Sequence, residues 1–171
     1  FRTFRTMMIN MGLREELVIR GVLPNDADDL KRFWLELARE MYEIEGYIVP
    51  SAKNAEVWLS HVLKEVEEAR IEVLVAQKGT ELVGFVLLAY TTNERFETAK
   101  AMALIHDMYV KPKHRSQGIG TTLMKECMKK VKEKGVKQVR LNVLSENVGA
   151  VKFYERHGFK VYRYGMRREI H

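Results

Sequence analysis

One cysteine, three prolines and no apolar run near the roughly 20 residues of a bilayer-spanning helix set the first limits on this chain. The lone Cys127 allows neither an internal disulfide nor a multi-cysteine metal site, which points to a reducing, cytoplasmic setting. The longest apolar runs, such as Leu82–Tyr90, have the length of a strand, so no membrane span is expected. No secretory signal is visible, because only Met7–Ile9 follow Arg2 and Arg5 as an apolar stretch. The histidines at 61, 106, 114, 157 and 171 show no metal-ligand spacing, and no metal is expected. Internal repeats and low-complexity segments are absent as well.

The balance of the 171 residues is that of an ordinary globular domain, 46% hydrophobic and 30% charged. Met7, Met8 and Met11 lie inside a chain that starts with Phe1, so residues 1–14 are expected to be a tag or loose extension and 15–171 one domain. The net charge of +6 is unevenly spread. Ten Lys/Arg face two acids between Lys111 and Arg140, whereas seventeen acids face ten bases between Glu15 and Lys100. A basic half suits a polyanion or a phosphorylated cofactor, and charge alone does not choose between them.

Periodicity divides the chain into alternating elements. Glu16–Gly21 alternates like a strand, and Pro24-Asn25-Asp26 supplies a turn into a helix with Leu30, Phe33, Leu37, Met41 and Ile44 on one stripe. Gly46 and Pro50 break that helix; Ser51 caps another that runs to about Arg70 with apolar Val57, Leu59, Val62, Leu63 and Val66. A hairpin follows, Ile71–Gln77 and Glu81–Thr91, then a polar loop over Thr92–Lys100. Ala103–Val110 reads as a strand stopped by Pro112, Thr121–Lys134 as a helix, and Val136–Leu144 as a strand. Asn147–His157 reads as a short helix and Phe159–Met166 as a last strand. The order implies one α/β domain, a mixed sheet with helices packed on it.

Arg115-Ser116-Gln117-Gly118-Ile119-Gly120-Thr121, between a strand and a helix, carries the clearest chemistry. Unpaired amides at a helix start favour anions, and two glycines let a phosphate approach the backbone, so the segment is shaped to hold a diphosphate. A Walker loop is excluded because no Gly-Lys-Ser/Thr follows, and the dinucleotide fingerprint lacks its third glycine. A glycine-softened turn without a ligand is the alternative.

The run Asp107–Gly120, with its Arg-x-x-Gly-x-Gly core after a strand ending in valine, resembles motif A of the GNAT family of N-acetyltransferases. Asn142-Val143 followed by Asn147–Phe159, with Ala150, Phe153-Tyr154 and Gly158-Phe159, resembles its motif B. The resemblance implies a single-domain fold with a mostly antiparallel sheet of six to seven strands and about four helices. It also implies acetyl-CoA as cosubstrate and direct acetyl transfer to a primary amine in a ternary complex. The backbone at Met108, Tyr109 and Val110 would pair with the pantetheine arm. Arg115, Ser116, Gln117, Gly118, Ile119, Gly120 and Thr121 would hold the pyrophosphate, and Asn147 would touch the arm unless it serves only as an N-cap.

Tyr154 matches the tyrosine that protonates the departing thiolate; a phenol is protonated at neutral pH, and a core aromatic is the alternative. For the base, the family often places a carboxylate on the strand that Ala103–Val110 matches. Here strict alternation puts His106 on one face with Met108 and Val110, and Asp107 on the other. His106, Asp107 and a water chain all stay open as the base. Glu36, Glu40, Glu43 and Glu45 form an acidic rim on the first helix that suits a cationic polyamine-like or peptide amine. A coenzyme-binding regulator without catalysis is the second class. Neither nucleic acid nor membrane is an expected partner, and a homodimer is left open by the family's habits.

Overall fold

The computed structural model describes residues 16–91 and 101–170. The expectations for residues 1–14 and for the loop at 92–100 fall outside those residues. Five strands and four helices follow in order: β1 Leu17–Gly21, α1 Ala27–Glu45, α2 Ala52–Glu67, β2 Ile71–Lys78, β3 Glu81–Thr91, β4 Met102–Val110, α3 Ile119–Glu133, β5 Gln138–Leu141 and α4 Val148–Arg156. Short 3-10 turns precede α1 at Pro24–Asp26 and α3 at Pro112–His114.

The sheet has the order β1-β2-β3-β4-β5, antiparallel throughout except for the parallel pair β4–β5. Buried on both faces, its central strands read as continuous apolar runs. On one face α1 and α2 bury Leu30, Phe33, Leu59 and Val62 against Val73, Val75, Phe85, Leu87 and Tyr109. On the other, α3 buries Leu123, Met124, Cys127 and Val131 against Leu74, Val86, Leu88 and Ile105, with Phe153 and Tyr154 of α4 at the margin. Phe33 and Phe85 are fully buried and stacked, 6.1 Å between centroids. Each such side chain contributes about 2 kcal/mol by leaving water.

The amphipathic stripes are real but shorter than their periodicity suggests. In α1 the buried residues are Leu30, Phe33, Trp34 and Ala38, while Ile44 lies beyond the sheet edge and is exposed. In α2 the buried face is Ala55, Leu59 and Val62; Val57 and Leu63 point outward. Ser51 caps α2 as expected, its Oγ accepting from the Asn54 amide at 3.1 Å.

Two departures from expectation bear on the site. First, the strand expected at Phe159–Met166 is not formed: the described sheet has five strands, not six to seven, and 159–170 carry no regular element. Val161, Tyr162, Tyr164 and Met166 are exposed, the last at 97%. Alternation tells which side chains would share a face, but whether a segment pairs into a sheet is a property of the whole fold. β5 is correspondingly short, four residues instead of the nine from Val136 to Leu144. Second, the β3–β4 register shifts between Leu87 and Leu88: Leu87 faces Asp107 and Leu88 faces Ile105, leaving His106 as an extra residue in β4. Such a bulge inverts the alternation beyond it. Ala103 and Ile105 face α3, and so do Met108 and Val110. The parity that would group His106 with Met108 and Val110 therefore does not hold.

Where β1 turns into α1, the buried Asp26 carboxylate accepts from Arg20 at 2.7 and 2.9 Å and from the Leu23 amide at 2.7 Å. The Arg20 hydrogen bonds hold its pKa below the usual carboxylate range. A depressed carboxylate stabilises the fold above its unfolded pKa, and that contribution fades as pH falls through the folded value. Asp26→Ala is therefore expected to cost roughly 2 kcal/mol at pH 7, measured by urea unfolding, with the gap from wild type narrowing as the pH is lowered below 4 or so.

Candidate active site

The site lies where β4 parts from β5. The two strands pair only from Met102–Gln138 to Ile105–Leu141. Beyond that, β4 continues through His106, Asp107, Met108, Tyr109 and Val110 with no strand of the described residues beside it on the β5 side. The exposed backbone edge there is the geometry an extended arm can pair with, as a strand adds to a sheet. Met108 and Val110 carry their side chains to the α3 face, whereas Tyr109 points the opposite way. Tyr109 is 2% exposed, and its hydroxyl donates to Glu36 of α1; burial first, then that carboxylate, raises its pKa. The buried Tyr109 side chain therefore does not line the open edge.

At the end of β4 the chain bends into α3, and Gly118 is the N-cap of that helix. The glycine segment is thus part of the first helical turn, two residues earlier than periodicity indicated. Ser116 and Gly118 both hold left-handed backbone, φ +60° and +82°. At Gly118 this is what glycine adopts at no steric cost, and at Ser116 it is uncommon. Among the described residues no group accepts a hydrogen bond from the backbone N–H of 116 to 121; the first amide past them, that of Thr122, bonds to the Gly118 carbonyl at 3.0 Å. Six adjacent donors at a helix N-terminus make an anion site. Gly120 has another reason to be glycine: a Cβ there would come within 3.3 Å of the Phe153 ring. The missing side chain lets α4 pack on the start of α3.

The bend is braced from three sides. Glu81, at the start of β3, gathers Lys113 at 2.8 Å, Lys111 at 3.0 Å and His114 at 3.3 Å. Hydrogen bonds from Lys113 first and then Lys111 hold the Glu81 carboxyl down to about 2, with a smaller one from His114. Arg115 turns back, its Nε donating to the Val110 carbonyl at 2.9 Å and its guanidinium pairing with Glu40 of α1 at 2.5 Å. Gln117 donates to the Lys113 carbonyl at 3.0 Å. The Arg115 and Gln117 side chains thus brace the bend through its own carbonyls and α1, and its amides from 116 to 121 are left unpaired among the described residues.

On α4, Asn147 acts as the N-cap, its Oδ1 accepting from the Ala150 amide at 3.1 Å. Tyr154 sits between Phe153 and Phe159, with ring centroids 5.4 and 5.8 Å away. Burial, with a smaller contribution from the Asp107 charge, pushes its phenol up to about 12. It is a protonated donor at any physiological pH. Cys127 is fully buried on α3, and burial lifts its thiol to about 12, so it remains a thiol with no route to solvent.

The two base candidates part company because of the bulge. His106 is exposed on the extra residue. Asp107 turns toward the α1–α2 face, where the Trp58 indole of α2 donates to its Oδ2 at 3.1 Å. Burial dominates and raises the Asp107 pKa, partly offset by that hydrogen bond and by His106. Trp58 is absent from the apolar stripe legible in α2, and no local signal reveals a partner 49 residues away. The acidic rim is also partly spent: Glu36 binds Tyr109 and Glu40 binds Arg115, while Glu43 is exposed and Glu45 partly so. Among the described residues no group of three or more His, Cys, Asp or Glu side chains could hold a metal ion, and no helix is long and apolar enough to cross a membrane.

The sequence model of the acetyltransferase (GNAT) family matches residues 29–159. An uncharacterized N-acetyltransferase of Methanocaldococcus jannaschii is 31% identical over 161 residues, 94% of this chain and 68% of that protein. A spermidine N(1)-acetyltransferase of Thermoplasma acidophilum is 28% identical over 137 residues, 74% of this chain and 80% of its own length. A crystal structure titled a transcriptional regulator of Bacillus halodurans superposes with a TM-score of 0.73 over 91% of this chain and all of its own, at 23% identity, a likeness of fold alone.

A carboxyl whose pKa is raised by burial opposes folding once it ionises, so its contribution is favourable below the unfolded pKa and is lost as pH rises through the folded one. Asp107→Asn, which keeps an acceptor for Trp58, is expected to be as stable as wild type or more so at pH 7, with the difference vanishing below the carboxylate range. Thermal unfolding across pH 3 to 8 or so measures it.

Proposed function

Since the chain belongs to the GNAT acetyltransferase family, we propose that it moves an acetyl group from acetyl-CoA directly to a primary amine of a small, cationic, polyamine-like acceptor. The observation that carries this reading is the row of unpaired amides at 116–121 beside the open edge of β4. Together they suit a pyrophosphate and the extended arm behind it. The spermidine specificity in the name of the Thermoplasma relative and the exposed acidic residues on α1 support a cationic acceptor.

Acetyl-CoA supplies an activated thioester; the chain supplies binding and proton transfers. Amides 116–121 hold the diphosphate and the β4 edge aligns the arm, so the reacting carbon is placed before chemistry begins. An ammonium has no lone pair, so a proton must leave the acceptor first. Asp107, raised by burial and turned to the α1–α2 side, takes that proton at its carboxylate. The amine nitrogen then bonds to the carbonyl carbon, the carbon–sulfur bond breaks, the Tyr154 hydroxyl gives its proton to the sulfur, and the second proton of the nitrogen leaves through solvent to restore the phenol. A phenol held near 12 does not lose that proton to solvent beforehand. His106, exposed on the bulge, stands in this reading as a neighbour whose charge favours the Asp107 anion.

Thiol release from acetyl-CoA with spermidine, lysine peptides and aminoglycosides as acceptors tests the reading. Tyr154→Phe is expected to lower turnover at least roughly tenfold with coenzyme affinity kept. Tight coenzyme binding with no turnover against any amine would instead establish a regulator.

A further inference from the structure

The geometry points to Trp58 as the positioning residue of the reaction: its indole N–H holds one oxygen of Asp107 so that the other is presented to the acceptor amine. This rests on the reading of Asp107 as the base. Trp58 and Asp107 come from different layers, α2 and β4, and meet only in the folded chain at 3.1 Å. The indole cannot swing. It stacks on Trp34 of α1 at 5.9 Å and 24°, and its edge meets Phe85 of β3 at 5.8 Å and 67°. Two aromatic contacts at different angles leave one direction for the N–H. The bulge at His106 turns Asp107 to meet it.

The bond involves Oδ2 alone, and among the described residues Oδ1 has no hydrogen-bond partner. An indole N–H donates and never accepts, so Trp58 cannot compete for the proton that Asp107 receives. It restrains the carboxylate in rotation and favours its anion, while burial opposes ionisation. The two influences oppose each other, with burial the larger, so the carboxylate is more basic than a free one. The other groups around Asp107 are few: His106 on its own strand, Tyr154 on α4, whose phenol its charge raises, and apolar Leu87 opposite it on β3. The nearest carboxylate on α1, Glu36, is engaged by the Tyr109 hydroxyl. Trp58 is the neighbour from the acceptor-side helices that can act on Asp107 without titrating itself.

Trp58→Phe keeps the ring and deletes the donor. Replacement by 3-benzothienylalanine, which changes little but the N–H, serves if the phenylalanine packs poorly. The carboxyl-carbon resonance of Asp107, assigned by its loss in Asp107→Asn, is expected to titrate about one pH unit higher in either variant. With spermidine as acceptor, the acidic limb of kcat/KM should move by the same amount while kcat falls severalfold. An unmoved resonance means that the indole only packs, and it overturns the proposal. A resonance that moves while the limb stays also overturns it, because the bond then has no part in the reaction. Full turnover in Asp107→Asn would fail differently: it removes the base reading, and Trp58 would have nothing to position.

Discussion

A single surplus residue in β4 governs how this site is built. With His106 bulged out of the β3–β4 ladder, the strand serves both faces in turn. Its first half gives Ala103 and Ile105 to the α3 core, and its second half gives Met108 and Val110 to the same core, with Asp107 and Tyr109 aimed at the helices opposite. A regular strand would have sent Asp107 into the apolar layer under α3. Burying a carboxylate there with no donor would cost several kcal/mol, whereas on the α1–α2 side it meets the Trp58 indole.

The parting of β4 from β5 is the second consequence of strand geometry. β5 is only four residues long, so its ladder ends at Ile105, one residue before the bulge. From there the edge of β4 is open on that side, and it leads straight to the amide row at the start of α3. The rest of the local structure keeps that row in place. Glu81 ties down the chain before the bend, Arg115 ties the bend to α1 through Glu40, and Phe153 packs into the space left by Gly120. Each tie uses a side chain, which leaves the amides unpaired among the described residues.

Stability and chemistry pull apart at Asp107 and Tyr154. Both carry raised pKa values with burial as the leading cause, and the Asp107 charge adds to the rise at Tyr154. A fold chosen for stability alone would place apolar residues at both positions. In the proposed reaction one of them would accept a proton and the other would donate one, and that use comes at a standing energetic cost.

The sequence by itself determined the elements and the loop that matters. Periodicity found the helices and all five described strands, Ser51 and Asn147 announced their helices as caps, and the spacing of Gly118 and Gly120 marked the row of unpaired amides, because these signals are local and lie within a few residues. Tertiary structure alone decided the rest. The bulge depends on how β3 registers against β4, the contact between Trp58 and Asp107 joins two layers, and the segment after Phe159 stays unpaired although its alternation reads as a strand. Local chemistry sets which conformations a segment can adopt; which face looks at which partner is set only when the layers close.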